Sequence, residues 1–207
     1  YLGLLTGTGL ILAIAVQPIA GAISDRYGSR WGQRKPYILL GTIGAMMFLP
    51  GIGLAGTFAA IFTIYCLLQV SSNTAQGPYQ AFIPDLVPAG KRGLASGVKT
   101  LLEVLGSIAL LRLIGPLMDH YATGEGSLWL WLALATLATV LLGTMLATLI
   151  TVKERPSPGN SQLPLLATLY KSFKIDLKAN PDFIWFLVSR LLILMAFAAL
   201  QRFALYF

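Results

Sequence analysis

Two stretches of this chain, residues 1–24 and 36–84, contain no charged side chain. That constrains the fold more than any other feature. Hydrocarbon offers no hydrogen bonds to a bare backbone, so a run of ~20 apolar residues crosses it as a helix. The first stretch predicts one span over about residues 2–24. The second is too long for one helix and predicts two, about 37–55 and 58–82, separated by a hairpin around Pro50-Gly51-Ile52-Gly53 and Gly56. Further apolar runs predict spans at about 95–118, 128–152 and 183–207, six in all. Composition agrees: 56% of the 207 residues are hydrophobic and 11% charged, where a soluble domain carries about 25% charged residues. The expected class is all-α and transmembrane.

The net charge of +7 is a topology signal. Arg26, Arg30, Arg34 and Lys35 follow span one, Lys91, Arg92 and Lys99 follow span three, and Lys153, Arg155, Lys171, Lys174 and Lys178 follow span five. The intervening loops, about 51–57 and 119–127, hold no Lys or Arg but do hold Asp119 and Glu125. Lys and Arg collect in cytoplasmic loops, so the basic loops are expected inside and span one runs outside to inside. The charge thus implies no nucleic-acid partner; the expected setting is the bilayer of a plasma or inner membrane. The chain begins at Tyr1, within an apolar run, which suggests a fragment with an odd number of helices missing in front. Residues 153–182 read as a cytoplasmic loop between two halves. Within it Leu163–Leu177 is amphipathic, either lying on the membrane surface or forming a solvated linker helix. Asn180-Pro181-Asp182 is an N-terminal signal for the last span.

Cys66 and His120 are the single representatives of their types. An internal disulfide, a thiolate metal cluster and a two-His motif are therefore excluded. With no His cluster, paired intramembrane carboxylates or Ser–His arrangement, the chain is expected not to be an enzyme, and no metal or cofactor is expected.

The polar residues inside spans carry the functional reading. Gln69, Asn73, Gln76 and Gln80 recur at i, i+4, i+7 and i+11, which at about 100° per residue is one narrow helical stripe, flanked by Tyr65 and Ser72. Amides both donate and accept, which suits sugar hydroxyls; the alternative is amide-mediated helix packing. Gln17-Pro18 in span one adds another amide beside a proline that removes one backbone hydrogen bond and exposes a carbonyl. Charged residues in spans cost about 2.5–3.5 kcal/mol on insertion scales. Glu103 is either a proton site or the i,i+4 partner of Lys99. Arg112 and Arg190 suit snorkelling to headgroups, whereas Arg202 is deeper. Gly3/Gly7 and Gly93/Gly97 have the spacing that lets helices approach closely.

The loop Gly21–Pro36, GAISDRYGSRWGQRKP, resembles the Gly-x-x-x-Asp-Arg-x-Gly-x-Arg signature of the major facilitator superfamily, matched here by Gly21, Asp25, Arg26, Gly28 and Arg30. SRWGQRKPYILLG, QGPYQAFIPDL and KRGLASG are similar to the glycoside–pentoside–hexuronide cation symporters and the related sucrose transporters. The resemblance implies a major-facilitator-type bundle with six of twelve spanning helices present, the family's second to seventh. Residues 1–152 are then an N-terminal half lacking its first helix, and residues 183–207 open the C-terminal half. It implies a secondary transporter moving a sugar or glycoside by alternating access, with a small solute as its partner. Gating falls to Gly21, Asp25, Arg26, Gly28, Arg30, Arg34, Asp85 and Arg92, with Asp25 pairing with Arg26 or Arg30 or accepting from backbone N–H groups of another helix. Substrate contact falls to Gln17, Tyr65, Gln69, Asn73, Gln76 and Gln80. Melibiose-type symporters carry a cation-binding Asp at the position of Gln17, and plant sucrose transporters carry an Asp and an Arg at those of Gln69 and Gln80. Neutral amides neither anchor Na⁺ strongly nor carry a proton. A proton rather than sodium is then the coupling ion by elimination, with Glu103, Arg112 and Arg202 as the remaining intramembrane charges. The alternatives are an uncoupled facilitator or exporter of another solute on this fold, or a non-transporting receptor.

Overall fold

The structure is a computed structural model that describes residues 2–27, 29, 31–124, 126–154, 184–185, 188–193 and 195–196. The chain divides into two compact units, Tyr1–Leu165 and Leu166–Phe207. The described residues of the second unit are helical. The expectations for the 155–182 loop, the cap at Asn180 and Arg202 lie outside the described residues.

The first unit contains α1 (Leu2–Arg26), α2 (Lys35–Leu54), α3 (Phe58–Leu86), α4 (Arg92–Ala122) and α5 (Leu128–Thr151), with a 3₁₀ turn at Ala89–Lys91 before α4. All five helices are long and apolar enough to cross a membrane. They coincide with five of the six predicted spans, α3 running about a turn longer and α4 about a turn longer at each end; the sixth, 183–207, lies largely outside the described residues. One boundary is corrected: Pro50-Gly51-Ile52-Gly53 is not a loop, because α2 continues through it to Leu54 and the connection is only Ala55–Thr57. Prolines lie inside α1 (Pro18), α2 (Pro50), α3 (Pro78 and Pro84) and α4 (Pro116). Spanning helices tolerate them where neighbouring groups satisfy the freed carbonyls. Thr57 caps α3, its hydroxyl accepting from Ala60 N at 3.3 Å.

α3 is the hub, packing on α2 and on α1. Glycines make this possible, though not those singled out by spacing. Gly3, Gly7, Gly21, Gly93 and Gly97 have open space where a side chain would stand. The close approaches are at Gly41, where a Cβ would lie 2.5 Å from Ser71 O and Ala75 N, and at Gly77, where it would lie 2.5 Å from Gln17 O. Sequence spacing misses them because each is paired with a partner helix and not with a second glycine. Gly77→Ala must therefore push α1 off α3. Overpacking of this kind costs about 1–3 kcal/mol, and a lowered midpoint of thermal unfolding in detergent is the expected result. An unchanged midpoint would show that the two helices are not held at this distance.

α4 contributes no buried residue and packs mainly against α5. Hydroxyls on the spans, such as Thr63, Thr74, Thr136 and Thr144, donate back to the carbonyl four residues earlier, which satisfies them without an interhelical partner.

Candidate functional site

Two polar clusters sit on the α1–α3 pair. The first is made of amides. Gln17 Nε2 donates to Asn73 Oδ1 at 2.7 Å and to Gln76 Oε1 at 3.1 Å. Asn73 Nδ2 donates to the Gln69 carbonyl at 2.7 Å, and Gln69 Nε2 donates to Tyr65 Oη at 2.8 Å. Gly9 of α1 faces Tyr65 Oη and Gln69 Nε2 so closely that a Cβ would collide with both. Asn73 is buried, Gln17, Gln69 and Tyr65 are half-buried, and Gln76 is exposed. Five of the six predicted contact residues thus form one continuous network. Gln80, one turn further along α3, is exposed and stands apart. Gln76 also lines a cleft of about 350 Å³ between α2, α3 and α5, together with Thr42, Ser72, Tyr79, Thr144 and Thr148. This lies within the usual range of small-ligand sites, roughly 300–1,000 Å³. The contribution of α5 is absent from the sequence reading, although Thr144 and Thr148 share a helix face at i,i+4 spacing.

The second cluster centres on Arg34, which is buried at the N-terminus of α2. Its Nη2 meets Asp25 Oδ1 at 2.5 Å and Asp85 Oδ2 at 3.0 Å. Its Nε donates to Asp85 Oδ2 at 3.0 Å and its Nη1 to Ser24 Oγ at 2.8 Å. Ser24, fully buried, donates its own hydroxyl hydrogen bond to the Gly21 carbonyl at 2.7 Å. The guanidinium fork thereby ties the C-terminal ends of α1 and α3 to the start of α2, a task that needs several donors in one plane. The backbone N–H of Arg34 donates to Glu154 Oε2 at 3.0 Å, which brings in the residues after α5. Gly32 makes that possible: its φ is +112°, and a side chain there would occupy the space of the Glu154 carboxylate. Ser29 and Gly32 close the intervening turn by exchanging backbone hydrogen bonds at 3.1 Å.

Among the described residues Asp25 pairs with Arg34 and not with Arg26. The C-terminus of α1 points its carboxylate across to α2, while the Arg26 guanidinium turns over the ring of Tyr27, 5.6 Å from its centroid. Gly28 and Arg30 lie outside the described residues. Arg92 belongs to neither cluster: it donates to the carbonyls of Val87 at 3.1 Å and Pro84 at 2.8 Å, closing the end of α3. Glu154 and Ser24 were not anticipated. Ser24 carries no charge to flag it, and Glu154 is far from the loop in sequence. Lys99 and Glu103 form an i,i+4 pair at 3.1 Å, the local alternative for Glu103, and Arg112 is exposed on α4.

Five membrane-length helices, an amide network at the α1–α3 contact and a carboxylate–guanidinium cluster at one end define the class: a multi-pass helical membrane protein. The family model for MFS/sugar transport proteins matches residues 1–207, and the chain belongs to that family. Over 196 residues it is 30% identical to sucrose transport protein SUT1 of Oryza sativa subsp. japonica, covering 75% of this chain and 35% of that one. Over 163 residues it is 30% identical to proton-associated sugar transporter A of Homo sapiens, covering 70% of this chain and 22% of that one. Sucrose transport protein SUC3 of Arabidopsis thaliana is 31% identical over 122 residues, covering 48% and 20%. The chain thus spans about a third or less of the length of these curated relatives. No solved structure matches.

Proposed function

We propose that the complete protein is a secondary transporter that carries a sugar or glycoside, coupled to protons, by alternating access. The observation that carries this reading is the amide network. Gln17, Asn73 and Gln76 bring donors and acceptors from two helices to one point, with Gln76 at the edge of the cleft. A sugar hydroxyl donates and accepts at once and can exchange with any of these bonds. The relatives, sucrose transport proteins and a proton-associated sugar transporter, support the same substrate class and ion.

The Arg34 cluster is the proposed gate. It joins three helix ends through charge-assisted bonds that a second half of the transporter competes for or releases. The basic loops are proposed to face the cytoplasm, in accord with their Lys and Arg content. With Gln17, Gln69 and Gln80 uncharged, the proton is assigned to a carboxylate elsewhere in the complete protein, Glu103 being the candidate within this chain.

Uptake of labelled sucrose or a glucoside into proteoliposomes, with a proton gradient imposed by a pH jump, tests the reading. Inward acid-driven accumulation that collapses with a protonophore is expected. Uptake indifferent to the gradient would overturn coupling in favour of facilitated diffusion, and no uptake of any sugar would overturn the substrate class.

A further inference from the structure

Trp31 is 68% exposed at the tip of the α1–α2 turn, an unusual place for the largest apolar side chain. It divides two grooves. One, of about 590 Å³, lies between the start of α2 and the end of α5 and is lined by Trp31, Lys35, Leu149, Ile150, Lys153 and Glu154. The other, of about 490 Å³, runs down α2 past Pro36, Leu39, Leu40 and Ile43. An exposed apolar stripe continues it: Leu40, Ile43 and Met47, the last 72% exposed. From Pro36 to Met47 the helix rises about 16 Å, close to the half-thickness of a hydrocarbon core about 30 Å thick.

The polar groups at the mouth are arranged by charge. Lys35 Nζ donates to the Leu149 carbonyl at 2.8 Å, which fixes it at the end of α5 and leaves two of its protons unused. Lys153 is exposed beside it. Glu154 is the opposing charge, but its Oε2 accepts from Arg34 N and its Oε1 is sealed from solvent. Lys35 and Lys153 therefore line the mouth of the groove together with the exposed indole of Trp31, a residue type enriched at membrane interfaces.

We propose that this surface binds one anionic phospholipid of the adjoining leaflet. Its phosphate sits between Lys35 and Lys153, its glycerol region lies against Trp31, and one acyl chain follows Leu40, Ile43 and Met47. Cation pairs at the ends of spanning helices suit such headgroups. The proposal rests on the membrane setting of the chain and is independent of the sugar reading.

Native mass spectrometry of the complete protein, titrated with palmitoyl-oleoyl phosphatidylglycerol or with the matching phosphatidylcholine, tests it. Retained phosphatidylglycerol adducts should exceed phosphatidylcholine adducts. Lys153→Gln, an exposed change that spares the fold, should weaken the first lipid about fivefold with little effect on the second, and Lys35→Gln by a similar factor. Trp31→Ala should weaken both. Equal retention of the two lipids, or full retention of phosphatidylglycerol by the Lys153→Gln protein, would overturn the proposal.

Discussion

Arg34→Ala is expected to destabilise the basic-loop end of the bundle by about 2–3 kcal/mol. The full loss for breaking a buried ion pair is about 3–5 kcal/mol. That figure is an upper bound here, because the Asp25 and Asp85 side chains are 57% and 45% exposed and regain water when the guanidinium leaves. What remains is on the order of one net hydrogen bond to a charged group, about 1.5–3 kcal/mol, with Ser24 left buried and short of a donor. Arg34→Lys should recover only part of this, since one ammonium group cannot reach Asp25, Asp85 and Ser24 from a single plane. Thermal unfolding of the purified protein in detergent is the check. The order wild type above Arg34→Lys above Arg34→Ala is expected; equal midpoints for all three would remove Arg34 from its role as the tie between α1, α2 and α3.

Gln17→Met should weaken sugar binding by about 1–3 kcal/mol, the range for a sugar hydroxyl left without the Nε2 donor in the bound complex, or about five- to 150-fold in Kd. Methionine keeps the length of the side chain and removes the Nε2 donor, so Asn73 Oδ1, in a residue only 4% exposed, loses its partner. Helix packing alone would predict a different outcome, lower stability with unchanged affinity. Gln80→Ala separates the stripe from the network. Gln80 is outside the hydrogen-bonded cluster, so a smaller loss of affinity is expected there than at Gln17. Fluorescence titration of the purified protein with sugar checks both.

The spans were legible because charge placement in a membrane chain is nearly a map of its topology: the uncharged stretches 1–24 and 36–84 contain α1, α2 and α3 almost end to end. Pro50 misled because turn propensities measured in water lose force where the backbone has no solvent to bond. The amide row was legible as a helical stripe, and Gln17 as its neighbour, but their mutual bonds depend on how α1 crosses α3, which Gly77 sets and periodicity does not reveal. At the Arg34 cluster, the loop signature marked Asp25 but not its partner. Arg34 reaches it only because α2 begins at Lys35 and the Ser29–Gly32 turn folds the chain back. The link from Glu154 to that turn spans 120 residues, beyond the reach of any local pattern.

Counterflow in proteoliposomes of the complete protein tests the central claim most directly. Vesicles loaded with unlabelled sugar and diluted into trace labelled sugar should accumulate label transiently, and Gln17→Met protein, reconstituted at equal density, should need at least about fivefold more internal sugar for the same exchange. Exchange that is identical in the Gln17→Met protein would contradict the placement of the sugar at the amide network.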